Sequence, residues 1–321
     1  MQLQFFKSCL VMTNKSGPIY VCLHSGPSLG SKPARDEHSE VLASLCVEKF
    51  GGRAIIATVS RNRLYGVDFN REVPPLSKAL EFYPIIKLGE DEEAISSYHK
   101  RFAWVAQDKK DYLKRLNLYN EFWEIVRRSG RFLVFVHSNR PRLKAAESIM
   151  DFATFENLGV RKDVLQKIVN DINEHNVDFL KRIRPKYHKA ILYEQEIIVR
   201  RLQRTFHSLR PWKMRGLFRE NYEQDLEMAK KYGVRPMSWT RQGIYELTRK
   251  TLNLCQLPKV TVESMFTTMS SYAPKKLLGK NKVVIQLEVN QFVCKSYANQ
   301  TTDMLMDILR AVRDAQKSKQ R

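Results

Sequence analysis

The run IYVCLH (Ile19–His24) is apolar and β-branched up to its last residue, and Ser25-Gly26-Pro27 ends it. A run too short for a helix and closed by turn residues predicts a buried strand with a loop at its C-terminal end. The loop, Gly26–Arg35, leads to Asp36, which is placed to cap a helix beginning at Glu37. That helix buries Val41, Leu42, Leu45 and Val47, and Gly51-Gly52 stops it. RAIIATV (Arg53–Val59) predicts a second strand, and strand, helix, strand in this order predicts a parallel βαβ unit.

Further along, Ile95, Phe102, Val105, Leu116, Trp123 and Val126 fall near helical spacing and predict one long helix from Asp91, ended by Ser129-Gly130. FLVFVH (Phe132–His137) is the clearest buried strand. Val164, Ile168, Ile172, Phe179 and Ile183 mark a helix that Pro185 is expected to break, and Ile191, Ile198 and Leu202 mark the next. Residues 161–215 carry 14 Lys and Arg against 6 Asp and Glu, so they read as a basic helical hairpin or arm. Later come a helix near Thr240–Leu254, strands near Val260, over Val283–Val289 and near Phe292, and a helix near Thr301–Ala315. The fold class expected is α/β, a three-layer mixed and largely parallel sheet flanked by helices. Residues 1–143 and 257–321 would form the α/β domain, and 144–256 a helical insertion.

Composition narrows the class. In 321 residues, 43% hydrophobic and 28% charged is a balance that supports a folded core. No run of about 18 apolar residues exists, so no membrane association is expected. The N-terminus lacks the pattern of a secretory signal. Five scattered cysteines form no CxxC, which points away from a disulfide framework or a thiolate zinc site and toward the cytoplasm. The formal charge of +21 admits a polyanionic partner. No recognised nucleic-acid module occurs, so nucleic acid binding through the basic insertion is possible but not the favoured reading.

Chemistry concentrates at strand ends, where open α/β sheets place their ligands. His24 closes the first strand, His137 closes the FLVFVH strand, and Glu288 lies near the end of VVIQLEV. Glu37 opens the first helix after the loop that returns from His24. Two imidazoles and a carboxylate form a common catalytic zinc set, and a further carboxylate serves as base toward a metal-activated water. Each residue also has a plain structural reading: a strand-end His satisfied by neighbours, or a Glu complementing a helix dipole. Glu288 fits such a reading least, because an ionised carboxylate in an apolar strand needs a cation or hydrogen bonds. SRNRLYGVDFNR (Ser60–Arg71) follows the second strand, and Arg61, Arg63, Asn70 and Arg71 could hold a substrate carboxylate. The alternative is an exposed basic loop paired with Asp68 and Glu72.

The phrases HSG (His24–Gly26), DEHSEVL (Asp36–Leu42), VDFNR (Val67–Arg71), YHKRF (Tyr98–Phe102), VFVHS (Val134–Ser138) and IQLEVN (Ile285–Asn290) follow one another in the order found in N-formylglutamate amidohydrolases. The chain resembles that family over residues 18–140 and 258–315, and its Asp68–Arg71 element is also similar to one in aspartoacylases. The resemblance implies a zinc-carboxypeptidase-like fold, a Zn2+ cofactor, and hydrolysis of the amide bond of a small, carboxylate-bearing N-acyl amino acid or peptide. It implies His24, Glu37 and His137 as metal ligands, with Asp36, His38 and Glu40 as rivals to Glu37. It implies Glu288 as general base and later proton donor to the leaving amine. Arg63 would polarise the scissile carbonyl, with Arg61 as its rival. Asn70 and Arg71 would grip the substrate carboxylate, and His99 would line the pocket. Val136 stands where the family often has an Asp, which removes an expected support for the neighbouring histidine. Two other readings remain: a nucleic-acid-associated protein on the same fold without hydrolase activity, and a metal-free scaffold.

Overall fold

The computed structural model describes residues 1–29, 35–89, 91–155, 158–266, 272–279 and 281–318; the loop residues 30–34 fall outside it. The chain opens with an antiparallel hairpin, β1 (Gln2–Phe5) and β2 (Cys9–Asn14), followed by β3 (Ile19–Cys22), α1 (Ser39–Phe50) and β4 (Gly52–Ala57). Next come α2 (Leu76–Leu88), α3 (Glu92–Arg101), α4 (Lys109–Arg128), β5 (Phe132–Asn139) and β6 (Ser148–Thr154). Four helices follow: α5 (Lys162–His175), α6 (Val177–Phe206), α7 (Gly216–Lys231) and α8 (Arg241–Leu254). The chain closes with β7 (Lys259–Val262), α9 (Tyr272–Leu277), β8 (Val283–Asn290), α10 (Gln291–Ser296) and α11 (Ala298–Ser318).

The eight strands among the described residues form one mixed sheet in the order β1-β2-β4-β3-β5-β8-β6-β7. The central block β4, β3, β5 and β8 is parallel. The β2 hairpin joins β4 antiparallel, while β6 and β7, parallel to each other, run against β8. Side chains alternate across this sheet, so its central strands feed two cores. Tyr20, Cys22, Val134 and Val136 face α1, α5, α6 and α11. Val21, Leu23, Leu133 and Phe135 face Trp104, Phe122 and Trp123. Truncating a fully buried Trp123 would cost about 3–5 kcal/mol.

The structure departs from the sequence expectation in several places, among them Val41, expected in the buried face of α1 and exposed instead. Residues 148–154, assigned to the helical insertion, form β6 inside the sheet, so the helical segment begins only at α5. The long helix expected from Asp91 is two helices, each with its own aspartate cap: Asp91 accepts from the Ala94 amide and Asp108 from that of Asp111. Between them the backbone leaves the helix to bond the neighbouring loop, with the amides of Ala103 and Val105 reaching the carbonyls of Glu72 and Arg63. Pro185 lies inside α6, on its exposed side, and the break falls instead at Asn176, whose side chain bonds the Ile172 carbonyl. The strand expected near Phe292 is the helix α10, started by Asn290 accepting from the Phe292 amide. No described helix is long and apolar enough to cross a membrane.

Candidate metal centre

Two strand ends meet one turn. His24 follows β3, His137 lies within β5, and the chain between them returns so that the Asp36 amide donates to the His24 carbonyl at 3.0 Å. At the next step His38 adopts a left-handed conformation (φ 67°), which delays the start of α1 to Ser39. The Asp36 carbonyl then accepts from the Ser39 hydroxyl at 2.8 Å, and the Asp36 side chain is left to face the imidazoles.

Both rings converge on a single oxygen. Asp36 Oδ2 lies 3.2 Å from His24 Nδ1 and 2.8 Å from His137 Nδ1, with all three residues buried. Two donors at 2.0–2.1 Å from a tetrahedral zinc lie about 3.3 Å apart, so these separations suit a shared ion. The hydrogen bonding of His24 points the same way. Its Nδ1 faces Asp36 and its Nε2 faces Asp68 Oδ1 at 2.9 Å, both oxygens that only accept. A neutral ring donates to one of them. A cation at Nδ1 satisfies the other contact and leaves Nε2–H for Asp68, the usual arrangement of a carboxylate behind a metal-bound histidine. His137 has no such support: its Nε2 is buried without a hydrogen-bond partner among the described residues.

Glu37, the expected carboxylate ligand, stands outside the cluster, and its rival Asp36 lies within it. Glu37 is exposed on the outer side of the turn that His38 creates, and only its carbonyl contributes, accepting from the Ser138 hydroxyl at 2.6 Å. Glu40 is paired with Arg35, and His38 occupies the helix cap. Burial alone would raise the Asp36 carboxyl, but His24, His137 and Arg61 outweigh it and hold the group well below the ordinary range. Asp68 follows the same pattern: burial opposes ionisation, and Arg63, His24 and Arg61 enforce it.

Glu288 stands beside this cluster. On β8 it is the register partner of His137 in β5 and of Asp151 in β6. Its Oε1 accepts from the Gln286 amide at 3.1 Å. Burial pushes its carboxyl up to about 7; Asp36 and Asp151 add to the rise, while His137 and Arg61 oppose it. Lys144, in the loop after β5, is held below the ordinary lysine range by burial and by Arg142, against the pull of Asp225 and Glu288.

The arginines divide by depth. Arg61 Nη1 donates to Asp36 Oδ1 at 3.0 Å and stays partly exposed. Arg63 is buried behind Asp68, with Nη2 at 2.8 Å from Asp68 Oδ2 and 2.9 Å from the His99 carbonyl. This places Arg63, expected to polarise a carbonyl, in a supporting position, and leaves Arg61 as the guanidinium beside the candidate ligand. Burial, with Arg61 and Arg71 nearby, lowers Arg63 to about 10 despite Asp68. Burial also pushes His99 down to about 4, with Arg63 and Arg71 adding to it. Asn70 Oδ1 and His99 Nε2 are buried and have no hydrogen-bond partner among the described residues.

Residues 60–71 owe their shape to α4. Arg115 donates to the carbonyls of Arg63, Leu64 and Gly66 at 2.7–3.1 Å. One turn on, the Tyr119 hydroxyl reaches the Arg71 carbonyl at 2.9 Å, and one turn further Trp123 Nε1 reaches the Phe69 carbonyl at 3.1 Å. Spacing of four residues puts all three on one helix face. A Cβ at Gly66 would collide with the Ser60 carbonyl, so the loop can close only with glycine there. Sequence reasoning missed Asp68 and Arg115 as site residues. An Asp two residues before an Asn-Arg pair and an Arg on the apolar stripe of α4 were the available signals. No protein-family model, curated protein or solved structure matches this chain.

Proposed function

We propose that the chain is a zinc-dependent amidohydrolase of zinc-carboxypeptidase-like architecture, acting on an N-acyl amino acid or small peptide. The observation that supports it most is the convergence of His24 and His137 on Asp36, with Asp68 behind one ring and Glu288 beside the other. His24, Asp36 and His137 would hold the ion. When bound, zinc polarises a carbonyl and brings water into the neutral pH range for ionisation.

The chain's own groups then divide the work. Glu288 takes a proton from the attacking water and passes it to the departing amine nitrogen, roles that suit a carboxyl poised near neutrality. Arg61 sits where a guanidinium favours negative charge building on the carbonyl oxygen. Asn70 and Arg71 receive the carboxylate of the amino acid, and His99, kept neutral by burial, lines the same side. Arg63 fixes Asp68, and Asp68 fixes His24.

The test is metal analysis of purified protein followed by a screen of N-formyl and N-acetyl amino acids. The expectation is about one zinc per chain, turnover of at least one such amide, and loss of both with His24→Ala or His137→Ala. A zinc-loaded protein that cleaves none of them would end the substrate assignment, and failure to bind zinc at all would end the hydrolase reading.

A further inference from the structure

The basic helical segment carries a surface that the hydrolase reading does not use. Between Ile197 and Arg219 lie six arginines and one lysine and not one Asp or Glu. Charge on a helical surface is normally balanced by carboxylates three or four residues away. Here the balance fails. Among the described residues no carboxylate pairs with Arg201, Arg204, Arg210, Lys213 or Arg215, and a single Glu196 serves both Arg200 and Arg241.

Geometry gives this charge a shape. Arg200, Gln203, Arg204 and His207, from the end of α6, and Arg241 at the start of α8 surround a shallow, open depression of about 560 Å³. In the turn after α6, Trp212 is 60% exposed. Its ring is not a loose surface residue: Trp239 meets it edge-on at 6.0 Å, and Trp239 in turn leans on the buried Tyr222. The Arg210 guanidinium lies 5.8 Å from the Trp212 ring centre. A braced, exposed indole with the Arg210 guanidinium beside it, in a segment rich in cations that no carboxylate pairs, is the combination by which proteins hold unstacked bases and track their phosphates.

We propose that this end of the helical segment is a docking surface for single-stranded nucleic acid, with a base stacking on Trp212 and phosphates held by Arg204, Arg210, Lys213 and Arg215. Charge complementarity selects a polyanion. The aromatic platform selects unpaired bases over a duplex or a lipid surface. The surface lies on elements that contribute no residue to the metal centre, so it stands whether or not the hydrolase reading does.

The experiment is fluorescence anisotropy of the full chain with a labelled oligouridine and its duplex counterpart, at 50 and 200 mM salt. Four phosphate contacts predict a log–log salt slope of about −3 for a single strand, a loss of affinity of roughly fifty-fold over that range. Trp212→Ala should weaken single-strand binding about ten-fold. The pair Arg204→Glu and Arg210→Glu should abolish it. His24→Ala should leave it unchanged. These surface substitutions leave the buried core untouched, which an unchanged thermal transition would verify. Salt-insensitive binding, equal affinity for the duplex, or full affinity in either variant would overturn the proposal. So would binding to phosphatidylserine vesicles with none to the oligonucleotide.

Discussion

His137 and Glu288 are direct register partners on the parallel strands β5 and β8, so a candidate metal ligand and a candidate base leave the same face of the sheet side by side. The pairing fixes their separation through backbone hydrogen bonds alone and makes the two residues separately testable. Glu288→Gln keeps the shape and removes the base. It is expected to retain zinc and lose at least a hundred-fold in amide hydrolysis. Loss of zinc in this variant would show that Glu288 is a ligand.

The elevated Glu288 carboxyl has a consequence for stability. Its folded value of about 7 lies above the ordinary 4.5, so its favourable contribution is complete below 4.5 and is lost as pH rises through 7. Metal-free Glu288→Gln should therefore match the native chain at pH 4 and exceed it at pH 8, by about 3 kcal/mol. Urea titrations at the two pH values measure it. An equal difference at both would mean that the carboxyl is not buried as described.

Asp36 and Glu37 are neighbours with opposite environments. Asp36→Ala should lower zinc affinity by a thousand-fold or more, on the scale of about 4 kcal/mol for a lost charged ligand. Glu37→Ala should change stability by less than about 0.5 kcal/mol and leave zinc uptake intact. Zinc titration against a competing chelator distinguishes the two, and the reverse ranking would restore Glu37 to the site.

Asp68 joins His24 to Arg63. Asp68→Asn should weaken zinc binding about 10–100-fold. It also strands Arg63 without its buried partner, at about 3–5 kcal/mol. Because the Asp68 carboxyl is held below its ordinary value of 3.8, its contribution is present above that pH and is lost as acid titrates the folded form. The variant's acid-unfolding curve should accordingly be flatter than the native one below pH 4.

How far the sequence reveals this arrangement depends on what kind of information each part needs. His24, His137 and Glu288 were readable because each interrupts an apolar run that predicts a strand, and strand ends are where such sheets carry polar chemistry. Asp36 was legible only as a helix cap and a rival to Glu37, because its role rests on a positive φ at His38, a non-glycine residue with no pattern to announce it. The run Ser148–Thr154 went unread as a strand because Asp151 interrupts it and basic sequence surrounds it. In the fold Asp151 is satisfied by the Met265 and Phe266 amides, both at 2.8 Å. The break between α3 and α4 was hidden because Phe102 and Val105 continue the helical spacing while their backbone serves a loop distant in sequence. Local periodicity carries the strands; it does not carry contacts that one loop makes with another element.

Arg115 is the sharpest test of the loop framework. Arg115→Ala removes donors from three buried carbonyls and should cost about 3 kcal/mol, with residues 60–71 becoming the first site of proteolysis. Arg115→Lys should rescue little, since one ammonium cannot reproduce the planar fork. Rescue by lysine would show that charge alone holds the loop.

That clamp grips the main-chain oxygens of the loop rather than the loop's side chains. The identities at positions such as Arg61, Asn70 and Arg71 are therefore free to change without loosening the scaffold beneath them. Evolution or an engineer can rewrite what this loop recognises while inheriting its shape unchanged, as long as one face of a neighbouring helix keeps its arginine, tyrosine and tryptophan.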